Sequence, residues 1–139
     1  MSPRSPKGNA LVLVDTSVWI ESFRRPAGLD LTALVEMEEV VICLPVVQEV
    51  LQGFRDEKAF QIAREAILSF PIVETPMTES LFLEAVALYR TARRQGLTIR
   101  SSADCLIAVC ALRNDLVVLH KDRDFTALSE VSALEQRAL

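Results

Sequence analysis

Apolar and polar positions along the chain follow two alternating rhythms. The runs ALVLV (10–14), VVICL (40–44) and LVVLH (116–120) are continuously apolar and valine-rich, which predicts short strands buried on both faces. Between them, apolar residues recur every three or four positions, the period of a helix with one buried side. A short helix is expected over 17–24, closed by Pro26 and Gly28, then a second helical stretch over about 29–38 carried by Leu31, Leu34 and Val35. Pro45 opens a helix at a position where its missing N–H is not needed, with Val46, Val47, Val50, Leu51 and Phe54 on one face. Phe60, Ile62, Ala63, Ala66 and Ile67 continue with helical period until Pro71, and IVET (72–75) reads as a short strand. Thr78 offers a cap for a helix through Leu81, Phe82, Ala85, Leu88 and Tyr89 to about Gln95, with Gly96 at its exit. A strongly apolar helix covers Ala103 to Arg113, and a last short helix follows KDRDF.

Strands alternating with helices of this length imply crossover units and a parallel sheet, an α/β fold. Residues 10–139 are expected as one domain behind a flexible leader, 1–9, rich in Ser, Pro, Lys, Arg and Gly. In open parallel sheets ligands sit outside the carboxyl ends of the strands, so the chemistry is sought there.

Composition narrows the possibilities. Half of the 139 residues are apolar and 24% are charged, which excludes a disordered or fibrous chain. A net charge of −4 argues against gripping nucleic acid by overall positive charge, though not against a local basic rim. Three cysteines without a C-x-x-C pair, and a single histidine, argue against a disulfide framework or a zinc site. Cys43, Cys105 and Cys110 therefore read as small core residues in a reducing compartment. No apolar run is long enough for a membrane span or a signal core, so a cytoplasmic location is expected.

Against this apolar background the placement of acids stands out. Asp15 directly follows the first strand, and Glu49 lies early in the helix opened by Pro45. Asp104 falls in the first turn of the helix after LTIRSS, and Asp122 and Asp124 follow the strand ending at His120. Singly, each has an ordinary explanation. Asp15 suits a helix cap, Asp104 an acidic capping box with Ser101, and Asp122 and Asp124 caps of the last helix. Capping does not require the helix starts to converge, however, and several carboxylates at one sheet edge repel one another. A hard divalent cation removes that repulsion, and an oxygen-only donor set suits Mg²⁺ or Mn²⁺.

LVLVDTSVWI, PVVQEVLQGF, SSADCLIAVCAL and VVLHKDRDF, in this order and spacing, resemble the PIN-domain family, specifically the VapC-type toxin ribonucleases of bacterial toxin–antitoxin pairs. The resemblance covers Ala10 to about Leu128. It implies a three-layer α/β/α fold with a central mainly parallel sheet, and a Mg²⁺- or Mn²⁺-dependent endoribonuclease. The matching acids are Asp15, Glu49, Asp104 and one of Asp122 and Asp124, with Asp122 favoured. Asp15 and Asp104 are expected as the principal ligands, Glu49 and Asp122 as completing the ring, and Ser17 rather than Thr16 as the hydroxyl supporting Asp15. The resemblance also implies an RNA substrate, a homodimer, and a cognate VapB-type antitoxin joined in a higher-order complex, whose helix would suit the apolar surface of residues 29–70.

Arg100 and Lys121 are the foremost candidates for RNA contact, with Arg90, Arg93, Arg94, Arg24 and Arg25 as further cationic positions. Trp19 reads as core and His120 as a structural strand-end residue. An aspartyl phosphatase would want an acid where Ser17 stands, and a receiver domain would want a better-placed lysine than Lys121. The non-enzymatic rival is a PIN-like scaffold that binds RNA or protein without cutting.

Overall fold

The protein, seen in a computed structural model, is described for residues 4–24 and 28–139; Arg25 and Pro26 lie outside the described residues. Four strands run in the same direction: β1 (Val12–Val14), β2 (Val40–Val41), β3 (Val117–His120) and β4 (Glu135–Ala138), ordered β2-β1-β3-β4. β1 is central, with Leu13 opposite Val41 on one side and Val118 on the other. Its three residues are all buried, as its unbroken apolar run requires. Because every strand points the same way, all four carboxyl ends open onto one edge.

Among the described residues six helices cover the sheet: α1 (Thr16–Phe23), α2 (Leu44–Leu51), α3 (Glu57–Ile67), α4 (Glu79–Arg94), α5 (Ser102–Arg113) and α6 (Arg123–Glu130). α1, α2 and α3 pack in succession, while α4, α5 and α6 form a second group, with α5 against both β3 and α2. This is the α/β/α, PIN-like arrangement that the resemblance implied. The core is apolar, with Leu13, Val14, Val18, Ile42, Ile107, Val118, Leu119 and Phe125 fully buried. Trp19 joins it, its indole N–H donating to the Val14 carbonyl at 3.0 Å. Thr78 caps α4 by accepting from Leu81 N–H, and Gly96, with φ +79°, turns the chain out of that helix.

The structure corrects two elements. Residues 29–38 form no continuous helix but two single 3₁₀ turns, Leu31–Ala33 and Met37–Glu39. Leu31 and Val35 are both buried, so the periodicity was real, but Asp30 caps the first turn at once and only a single turn follows. IVET reduces to one parallel bridge, Ile42 to Ile72, because Glu74 enters the left-handed region at φ +55°. β4 was not anticipated: Glu135, Gln136 and Arg137 carry no apolar signal, and this edge strand is held by backbone pairing to β3. Before β1, Arg4 bridges Ala10, Ser5 is buried, and Asn9 Nδ2 donates to Glu39 Oε1 at 2.9 Å.

Candidate metal centre

Each acid reaches the sheet edge by a different local device. β1 carries Asp15 out of the core, and its N–H still donates to the Leu119 carbonyl at 2.9 Å. Asp15 Oδ2 then caps α1, accepting from Ser17 N–H at 3.0 Å and Ser17 Oγ at 2.5 Å. Its Oδ1 is buried without a partner. Capping and a site role thus fall on different oxygens of one carboxylate. Ser17 Oγ also accepts from Lys121 N–H at 3.0 Å, tying the end of β1 to the segment leaving β3.

Asp104 lies one turn into α5. The expected capping box is not formed: the Ser101 side chain makes no cap bond, and Asp104 Oδ2 is buried and unpartnered. Asp122 caps α6 by accepting from Asp124 N–H at 2.9 Å. Asp124, itself buried, accepts from the N–H groups of Arg100 at 2.9 Å and Ser101 at 3.3 Å, fixing the entrance to α5. Asp104, Asp122 and Asp124 each place a carboxylate oxygen within 4.8 Å of the others. Glu49 is half-buried on α2, and Thr16 Oγ1 donates to its Oε1 at 3.1 Å. Sequence reasoning preferred Ser17 over Thr16, but the two adjacent hydroxyls serve different acids; only the folded packing of α1 on α2 reveals the second.

Electrostatics binds Asp15 and Glu49 to that trio. Burial raises the Asp15 pKa against the lowering effect of its Ser17 hydrogen bonds, and the Asp122 charge adds to the rise. Burial also raises Glu49, opposed by Thr16 and reinforced by Asp15 and Asp122. Asp104 is pushed up to about 9, first by burial, then by a hydrogen bond shared with Asp122 and by the charges of Asp122, Asp15 and Asp124. Crowded, desolvated carboxylates resist ionising together.

The donor chemistry fits a hard divalent cation. Two buried oxygens lack any partner, and such groups are normally satisfied. The converging donors are all carboxylate oxygens. The Cys105 thiol beside Asp104 is no competing ligand: burial and the Asp104 charge push its pKa up to about 11. All three cysteines are free and buried, as expected of core residues. His120 is also structural. Its Nδ1 accepts from Asp122 N–H at 3.1 Å, which leaves Nε2–H to donate to Gln136 Oε1 at 2.7 Å.

The cations divide. Arg100 lies beside Asp122 and Asp124 at 3.7 and 3.6 Å. Lys121 and Arg24 instead pair with Glu21, at 3.7 and 3.3 Å. Arg90, Arg93 and Arg94 are exposed on α4 around Tyr89, whose hydroxyl accepts from Arg93 at 3.3 Å.

A strand-end acid cluster on a parallel α/β/α sheet defines a class of fold, and comparison with known proteins agrees with it. The PIN domain family matches residues 12–131. VapC ribonuclease Mb1587 of Mycobacterium bovis is 32% identical over 130 residues, covering 90% of this chain and 96% of that protein. Ribonuclease VapC11 of Mycobacterium tuberculosis matches to the same extent. Among solved structures, VapBC-5 of Mycobacterium tuberculosis, a member of the VapBC family of toxin–antitoxin systems, superposes with a TM-score of 0.70 at 21% identity, covering 94% of this chain and 99% of that one. The chain belongs to the PIN-domain family, among its VapC-type members.

Proposed function

We propose that the chain is a Mg²⁺- or Mn²⁺-dependent endoribonuclease, the toxin of a pair whose antitoxin is VapB-type. One observation carries this reading: the unpartnered, buried Asp15 Oδ1 and Asp104 Oδ2 stand among acids that otherwise repel one another. Asp15 and Asp104 would hold the cation through these oxygens, with Asp122 completing the set. When bound, the cation supplies activation of water and neutralisation of phosphate charge.

The rest of the work belongs to the chain's own groups. Ser17 fixes the Asp15 carboxylate, so its free oxygen keeps one direction. Asp124 pins the backbone entering α5 and with it the first turn that carries Asp104. Glu49, half-buried with a raised pKa and oriented by Thr16, is placed to take a proton from an attacking water. Water attack leaves a 3′-hydroxyl and a 5′-phosphate. Arg100, beside Asp122 and Asp124, and Lys121, paired with Glu21 at the edge of the site, would serve as contacts to RNA phosphate.

Partners follow the same reading. Exposed Phe82, Leu83 and Val86 on α4 support a homodimer face. A cleft of about 280 Å³ between α1 and the end of α2, lined by Ile20, Phe23, Val50 and Phe54 and so only partly within residues 29–70, supports docking of an antitoxin helix. No described helix is long and apolar enough to cross a membrane, in keeping with the proposed cytoplasmic site of action.

The test is cleavage of total RNA by the purified chain alone, with Mg²⁺, Mn²⁺ or EDTA, beside Asp15→Asn. Discrete fragments that need the cation and vanish in the variant are expected. A folded protein that cleaves nothing under any cation would turn the reading to a binding scaffold.

A further inference from the structure

Arg100 differs from every other cation near the site. Its Nη2 lies 3.7 Å from Asp122 Oδ1 and its Nε 3.6 Å from Asp124 Oδ1. Among the described residues, no other lysine or arginine pairs with any of the five acids. A charge-assisted arginine–carboxylate hydrogen bond runs at about 2.7–2.9 Å. Arg113, at the other end of α5, makes one at 2.7 Å. Arg100 is therefore attracted to its acids but not locked to them.

Its two ends are held differently. The backbone N–H donates to the buried Asp124 Oδ2 at 2.9 Å, which fixes the residue beside the cluster. The side chain is 55% exposed, and it also lines a groove of about 510 Å³ with Phe82, Val86, Tyr89 and Leu106. The guanidinium can thus leave the carboxylates without any movement of the backbone. Two carboxylates beside it have their charge partly balanced, whereas Asp15 and Asp104 retain unpartnered oxygens.

We infer that Arg100 is a tethered counter-ion of the acid site: it balances Asp122 and Asp124 while no divalent cation is bound, yields Asp122 when one binds, and is then free at the groove mouth for a substrate phosphate. The inference rests on the divalent-cation reading given above. It follows from charge alone that a tethered monovalent cation opposes entry of a divalent one, and that removing it helps the cation while harming the metal-free protein.

Calorimetric titration of Mn²⁺ into the purified chain tests this, beside Arg100→Gln, Arg100→Met as a second neutral variant that keeps the stem, and Arg100→Lys. The neutral variants should bind Mn²⁺ about two- to fivefold more tightly, the range set by loose exposed ion pairs. They should also melt at lower temperature without divalent cation, and Arg100→Lys should stay close to the wild type. Mn²⁺ binding that is equal in wild type and both neutral variants would overturn the role of Arg100 and leave the cation site standing. Binding to none of them would overturn the cation site and this inference together.

Discussion

The two ends of α5 use the same residue types and reach opposite outcomes. At the C-terminal end, Arg113 donates to Glu84 at 2.7 Å, Glu74 at 3.4 Å and Ser80 at 2.9 Å, and Asn114 donates to Glu74 at 3.0 Å. Arginine and acids there satisfy one another and join α5 to α4 and the loop before it. At the N-terminal end, Arg100 stays at 3.6–3.7 Å from its acids, and Asp15 and Asp104 each keep a buried oxygen without a partner. One end is finished by the chain itself. The other keeps buried acceptors that no described group satisfies, and the cost of assembling it is what marks it as a candidate site.

The sharpest way to break this contrast is to neutralise an acid at the open end. Asp15→Asn or Asp104→Asn should lower RNA cleavage by about 10²–10³-fold, on the scale of losing one electrostatic contact to a transition state. Metal-free melting temperature should rise or hold, because the chain no longer has to bury a crowded acid as a repelled charge or with a proton taken up; a falling melting temperature would mean that the acids are structural. Adding cation should stabilise the wild type, by about 2.7 kcal/mol at a hundredfold excess over its dissociation constant, and should scarcely affect Asp104→Asn. Thermal melts with and without Mn²⁺ measure this.

Acidity should separate the two ends by sign. The Asp104 pKa is raised from 3.8 to about 9, so the folded state holds a proton that the unfolded chain has lost. Its contribution is complete below about 4 and declines as pH rises toward 9, so the metal-free protein weakens across that window. The Glu84 pKa is lowered from 4.5, chiefly by its hydrogen bond to Arg113, so its contribution is present above 4.5 and is lost as pH falls below it. Metal-free melts from pH 3 to 9 should therefore flatten on the alkaline side in Asp104→Asn and on the acid side in Arg113→Gln. An alkaline decline unchanged in Asp104→Asn would assign it elsewhere. The smallest effect expected is from Thr16→Val, which frees Glu49 and should lower the turnover rate without altering Mn²⁺ affinity. A matching loss of affinity would make Glu49 a ligand rather than a base.

Much of the framework was legible because its signals are local. A short, unbroken valine-rich run bounded by polar residues reads as a strand buried on both faces, and β1 to β3 follow from that. Thr78 and Gly96 mark the ends of α4 by capping chemistry alone. β4 was invisible for the converse reason: Glu135, Gln136 and Arg137 pair through backbone and leave no apolar trace. Asp15, Asp104, Asp122 and Asp124 at strand ends and helix starts were also legible, whereas Glu49, expected near the start of its helix, lies in the second turn of α2. The acids' division of labour was not legible, since it is decided oxygen by oxygen. Asp15 gives one oxygen to Ser17 and withholds the other, while Asp124 receives two N–H groups from the chain entering α5. That supports Asp122, which the sequence favours without excluding Asp124, as the acid facing the proposed cation.

The most direct measurement is a titration of Mn²⁺ into the weakly buffered, metal-free protein near pH 7, following proton release together with binding. A proton held by Asp104 must leave before its carboxylate can take up a cation. The account predicts release of about one proton per cation in the wild type, and little binding or release in Asp104→Asn. Tight binding without proton release, or binding that survives unchanged in Asp104→Asn, would contradict it.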